Sequence, residues 1–268
     1  MDSSVRHSDT VLRANDPPAS RTLNPDSRRP VLFVCDHASN VIPPSLNDLG
    51  LGPHELGRHI AFDKGSAALT ERLCEQLNFM AVLCNYSRLV IDCNRRIEDP
   101  TYMPLVSDDV TVPGNHDLTP VHRQARYDEI YVPYHAAITD ALDCLEQDCP
   151  GPAVVAIHSF TPKLETGVQR PWHVGVLWDQ DPRIADRLKD YLQGFPSLCV
   201  GDNEPYSGKH MADYTIDHHG EGRRLPCVSI EIRQDTLNSE DGVSAWADRL
   251  VPFFRALETD TTLFKKRL

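Results

Sequence analysis

Seven short apolar runs, dense in Val, Ile and Leu, constrain this chain more than anything else in it. They are VLFVC (31–35), FMAVLC (79–84), RLVIDC (88–93), AVVAIHS (153–159), HVGVLW (173–178), SLCVG (197–201) and PCVSIEIR (226–233). Runs of this length and β-branched content read as strands buried on both faces of a sheet. Between them the apolar period changes to that of a helix. Leu69, Leu73 and Leu77 fall four apart, and Tyr127, Ile130, Tyr131, Tyr134, Ile138, Leu142 and Leu145 form a longer stripe. Ala185, Leu188 and Leu192 mark a third helix, and Trp246, Leu250 and Phe253 a fourth. Strands alternating with helices predict an α/β fold, an open sheet with helices on both faces.

One domain accounts for the pattern. Residues 1–29 are rich in Ser, Asp, Arg, Asn and Pro and lack periodicity, so a loosely ordered N-terminal tail is expected there. The folded body is expected over 30–268, with no linker dividing it. A net charge of −12 argues against nucleic acid or anionic membrane as partners, since both favour a basic surface. No stretch approaches the roughly 18 apolar residues of a membrane span, and no apolar core follows a basic start as in a secretory signal. The eight cysteines form no CxxC pair and read as reduced core residues. A cytoplasmic location is the expectation. Nothing in the pattern specifies an oligomer.

Ligands in open α/β folds sit at the carboxyl ends of strands, and four strand ends here carry reactive side chains. VLFVC runs into Asp36-His37, AVVAI into His158-Ser159, RLVID into Asn94-Arg95-Arg96, and CVSI into Glu231-Ile232-Arg233. Two distant imidazoles and one carboxylate suit a divalent cation held by three protein ligands, Zn2+ being the expected ion. Asp36, Asp63 and Glu231 are the candidates for the carboxylate. Asp63 also reads as a helix N-cap, and Asp36 as an acid that orients an imidazole.

Glu231 shares a face with Ser229 and Arg233 by period two. An acid facing inward from a central strand is either ion-paired with a buried arginine or a general base. Arg88 reads as a salt-bridge partner of Asp92 or as a carboxylate fork, and Asn94-Arg95 as an anion clamp. In an acidic chain this arginine cluster points to an anionic small-molecule substrate. Tyr206 and Ser207, in GDNEPYSGK, belong to an ordinary turn or to a loop that closes over substrate. His218 and His219 read as an exposed polar loop or, for His219, a substrate contact.

VLFVCDHASN, HIAFDKGSAALTERL, YSRLVIDCNRR, the PYH of YVPYHAAI, IHSF, NEPYSGK and LPCVSIEIRQD, in that order, resemble the N-formylglutamate amidohydrolase family. The likeness extends from about residue 30 to 255, and its specificity lies in the ensemble of motifs. It implies a zinc carboxypeptidase-like fold with a central mixed, mostly parallel sheet, and hydrolysis of the amide of an N-acyl, by family N-formyl, amino acid such as glutamate. It implies His37 and His158 as metal ligands, Glu231 as the catalytic glutamate, Asn94-Arg95 as the grip on a substrate carboxylate and Arg88 as a group that polarises the carbonyl. Zinc carboxypeptidases take their second ligand three residues after the first histidine. Here that residue is Asn40, a poor zinc ligand, so the carboxylate ligand is placed on Asp63. The rival expectation is a non-catalytic module that binds small carboxylates or a metal ion.

Overall fold

Residues 10–209 and 213–267 are described by the computed structural model. In chain order the strands are β1 (Ser20–Leu23), β2 (Val31–Cys35), β3 (Met80–Cys84), β4 (Val106–Ser107), β5 (Val110–Thr111), β6 (Ala153–Phe160), β7 (Val174–Leu177), β8 (Val200–Asp202) and β9 (Cys227–Arg233). The α-helices are α1 (Pro53–Leu56), α2 (Ser66–Leu77), α3 (Pro120–Arg126), α4 (Val132–Glu146), α5 (Arg183–Gln193) and α6 (Glu240–Glu258). Seven strands form one sheet in the order β1-β3-β2-β6-β9-β7-β8, and β4 and β5 form a separate hairpin. β3, β2, β6 and β9 run parallel, β1 lies antiparallel to β3, and β7 lies antiparallel to β9 but parallel to β8. The expected single α/β domain with a mixed, mostly parallel sheet is therefore the fold.

Period two sorts each strand between two cores. Val31, Phe33 and Cys35 of β2 pack with Leu73 of α2, Leu188 of α5 and Phe254 of α6, whereas Leu32 and Val34 pack with Ile138, Leu142 and Leu145 of α4. Helices thus cover both faces. On β9, Val228, Ile230 and Ile232 enter the first core, which turns Ser229 and Glu231 toward the α4 side.

Two segments depart from expectation. RLVIDC is not a strand. Ser87 captures the local backbone, its Oγ accepting from Leu89 N–H at 3.1 Å and its carbonyl from Val90 N–H at 2.9 Å. The apolar side chains of Leu89, Val90 and Ile91 are buried all the same, so hydrophobicity marked burial there and not a ladder. The segment expected as a loose tail is tied down from residue 10 onward; residues 1–9 lie outside the described residues. Ser20–Leu23 forms the sheet edge against β3. Glu129 accepts from Val11 and Leu12 N–H, and Tyr86 Oη donates to Pro17 O at 2.5 Å. Of the cysteines, all free, Cys144 is half-buried and Cys199 exposed, so the expectation of core residues holds for the other six. No helix among the described residues is long and apolar enough to cross a membrane.

Candidate metal centre

The carboxyl ends of β2, β6 and the stretch before α2 meet at one point. The chain turns immediately after β2, and Asp63 N–H donates to His37 O at 3.0 Å, pinning the two turns together. Oδ2 of Asp63 lies 2.9 Å from His158 Nδ1 and 3.4 Å from His37 Nδ1. One donor atom from each of these three buried residues lies within 4.8 Å of the other two. Asp63 is not the N-cap of α2. Gly65 holds that position without a side-chain cap, and the Asp63 carboxylate faces the imidazoles.

The far nitrogen of each ring meets a second carboxylate. His37 Nε2 is 2.7 Å from Asp92 Oδ1. His158 Nε2 is 3.2 Å from Asp36 Oδ2, an ion-pair contact without hydrogen-bond alignment. Asp36 is itself fixed, its Oδ1 accepting from Tyr134 Oη at 2.8 Å and Thr215 Oγ1 at 2.5 Å. Outer carboxylates of this kind hold the proton on Nε2 and leave the Nδ1 lone pair facing inward. Two imidazole nitrogens and one carboxylate oxygen are a donor set that fits a divalent cation of the zinc type.

The electrostatics are those of a site that binds either protons or a cation. Burial pushes the His158 pKa down, but Asp36 and Asp63 outweigh it and hold it well above the usual value. Asp63 lies below the carboxylate range despite burial because both imidazoles face it. Burial raises the Asp36 pKa, but His158, His37 and the Thr215 hydroxyl bring it to about 2.

These residues open on a cavity of about 430 Å³. Its lining includes Arg88, Asn94, Arg95, Tyr206, Ser207 and Glu231, but neither His219 nor Asp36. Glu231 stands beside His158 in the β6–β9 register. It makes no ion pair among the described residues, and its buried Oε2 has no hydrogen-bond partner there. Burial first, then Asp63 and Asp213, push its pKa up to about 7 against the opposing pull of His158 and His37. Arg88 bridges the centre, with Nη2 donating to Asp92 Oδ2 at 2.7 Å and Nη1 lying 3.6 Å from Asp63 Oδ1. Asn94 Oδ1 accepts from Thr215 N–H at 2.9 Å, so its Nδ2 donor is what it has left to offer the cavity. Tyr206 and Ser207 sit on a loop pinned by Asn203, whose Oδ1 accepts from Trp178 and Gly208 N–H.

His219 lies elsewhere. It is 1% exposed, in a π-helical turn at Ile216–Glu221, stacked on His135 of α4 with Nε2 2.9 Å from His135 Nδ1. The polar sequence DHHGEG folds into a helix whose second imidazole finds a buried partner, and this removes His219 from both the exposed loop and the substrate cavity. Four further residues of the site escaped the sequence reading: Asp92 as the orienter of His37, Tyr134 and Thr215 as supports of Asp36, and Asp213 in the cavity lining. Asp92 carried a signal as the one acid inside RLVIDC, and Tyr134 as part of the PYH motif.

Comparisons with known proteins place the chain in a family. A family profile described as N-formylglutamate amidohydrolase matches residues 29–238. An N-formylglutamate deformylase from Pseudomonas aeruginosa is 24% identical over 247 residues, spanning 86% of this chain and 90% of that protein. The crystal structure of a gene product from Agrobacterium tumefaciens superposes with a TM-score of 0.86 at 34% identity, covering 94% of this chain and 98% of the other. An N-formylglutamate amidohydrolase from Ralstonia eutropha JMP134 shares the fold, with a TM-score of 0.73 at 18% identity over 92% and 99% of the two chains.

Proposed function

The chain belongs to the N-formylglutamate amidohydrolase family, and from that premise we propose that it is a zinc-dependent hydrolase of the amide in an N-acyl amino acid with an acidic side chain such as glutamate. His37 and His158, through Nδ1, and Asp63, through Oδ2, would hold the ion. Bound there, a divalent cation supplies Lewis-acid polarisation of an amide carbonyl and makes water more acidic.

The chain's own groups carry the rest. Glu231 accepts the proton of the attacking water and returns it to the leaving amine. Burial raises this carboxyl in the cation-free protein, to about 7, and a carboxyl with a raised pKa suits both halves of that transfer. Arg88, clamped by Asp92, turns Nη1 toward the centre, where its charge stabilises the oxyanion that develops on the carbonyl. Arg95, with the Nδ2 donor of Asn94, grips a substrate carboxylate and so fixes the amide beside Glu231. Tyr206 and Ser207 close the cavity side of the 203–209 loop and exclude water.

The observation that carries this reading is the convergence of His37 Nδ1, Asp63 Oδ2 and His158 Nδ1 in the cavity that also holds the unpartnered Glu231 carboxylate. Its test is release of free amine from N-formyl-, N-acetyl- and N-succinyl-amino acids, acidic and neutral, with and without added Zn2+. Turnover that requires the ion supports it, and so does a loss of about 10²–10⁴-fold in Glu231→Gln with the ion still bound. Tight binding of the panel without hydrolysis points to a carboxylate-binding module instead.

A further inference from the structure

The cavity continues past the catalytic groups. His59, Thr161 and Gln234 line it, and the same three residues wall a second depression of about 270 Å³ that also contains Arg58, Lys64 and Asn238. The carboxylate grip, Asn94 and Arg95, is absent from that second depression. A substrate anchored at Asn94-Arg95 with its amide at His37, Asp63 and His158 therefore points its acyl group toward the shared wall. A formyl group ends one atom beyond the amide nitrogen apart from its oxygen and would leave this extension unused. The main cavity alone falls in the range of roughly 300–1,000 Å³ that ligands of drug size occupy.

The charges along the extension select what enters it. Arg58 is neutralised by Asp108 at 2.7 Å and Glu165 at 3.7 Å, His59 Nε2 lies 3.4 Å from the same Asp108 oxygen, and Asp235 is paired with Arg233 at 2.8 Å. Two cations remain without a carboxylate partner among the described residues. Lys64 is exposed in the depression, one residue beyond Asp63. Arg170 donates to Thr161 O and Tyr206 Oη, each at 3.1 Å, and lies over the Tyr206 ring. The balance at the junction is positive in a chain whose net charge is −12.

We propose, on the basis of the amidohydrolase reading above, that the preferred substrate carries a dicarboxylic acyl group, an N-acyl amino acid whose acyl chain passes His59, Thr161 and Gln234 and ends in a carboxylate facing Lys64. The bond cleaved is the same amide; water supplies its hydroxyl to the acyl carbon and its proton to the amine, so the products are a free dicarboxylate and the amino acid.

The test is a ladder of N-formyl-, N-acetyl-, N-malonyl-, N-succinyl- and N-glutarylglutamate, assayed on the zinc-loaded wild type and on Lys64→Ala, Lys64→Glu and Lys64→Arg. The Lys64 side chain makes no ion pair among the described residues, so its truncation spares the fold. The expected result is a higher kcat/KM for a dicarboxylic member than for formyl or acetyl. Lys64→Ala then lowers that value by about 3- to 10-fold, Lys64→Glu lowers it further and Lys64→Arg restores it, with formyl and acetyl nearly unchanged. Preference for formyl, or an equal effect of Lys64→Ala on every acyl group, overturns the extension while leaving the hydrolase in place. Hydrolysis of no member overturns both.

Discussion

Asp92 Oδ1 lies 2.7 Å from His37 Nε2, and the other oxygen of the same carboxylate takes Arg88 Nη2 at 2.7 Å. One buried acid therefore touches both an imidazole of the candidate metal centre and the guanidinium beside it. Removing its charge should loosen both. Asp92→Asn is expected to weaken Zn2+ binding by about 10–100-fold, the usual cost of losing an outer carboxylate. Competition with a chromophoric chelator measures this directly, and unchanged affinity would separate Asp92 from the metal centre.

His158 lies between Asp36 and Asp63, and its pKa is held well above the ordinary imidazole value. In the cation-free protein the two carboxylates therefore favour the protonated ring. A cation needs the Nδ1 lone pair, so binding must expel a proton, and affinity should climb with pH by up to about 10-fold per unit. Titration calorimetry in two buffers of different ionisation enthalpy counts the protons released. Affinity that stays flat from about pH 6 to 8 would contradict the assigned protonation.

Glu231 should oppose the stability of the metal-free fold. Its carboxyl is pushed from 4.5 to about 7, first by burial and then by Asp63 and Asp213, with His158 pulling the other way. Between those values the folded state keeps a proton that the unfolded chain has lost. Stability therefore falls as pH rises through the window, and above it Glu231 costs about 3 kcal/mol. Chelated Glu231→Gln should melt higher than chelated wild type at alkaline pH and alike at acid pH. A difference that does not vary with pH would assign the effect to packing.

In the proposed function Arg95 acts on binding before chemistry. Its replacement by Ala should raise KM for N-acylglutamates by about 10–100-fold and lower kcat much less, as expected for loss of a charged hydrogen bond felt in both ground and transition states. Steady-state kinetics separate the two. A fall confined to kcat would move Arg95 from the carboxylate grip to the reacting carbonyl.

The sheet was legible because β2 and β6 are buried on both faces and write that burial as long apolar runs, while β9 spaces Val228, Ile230 and Ile232 two apart. β1 was not, since SRTL at an edge is half-exposed and has no apolar pattern to read. RLVIDC misled for the opposite reason: a buried turn needs the same Leu, Val and Ile as a buried strand, and the hydroxyl of Ser87 decided between them. At the site, His37, His158 and Glu231 could be found because strand ends point at clefts. The supports of Asp36 could not. Tyr134 and Thr215 come from remote segments, and no spacing in the chain announces that they meet one carboxylate. His219 shows the same limit, since its pairing with His135 is visible only in three dimensions.

Metal content per chain, measured by elemental analysis after Zn2+ loading and gel filtration, tests the central claim most directly when wild type is set beside Asp63→Ala and His158→Ala. The account predicts close to one ion per wild-type chain and loss of both ion and amidohydrolase activity in the two variants, with circular dichroism unchanged. Stoichiometric zinc in either variant, or full turnover by the wild type stripped of metal, would contradict it.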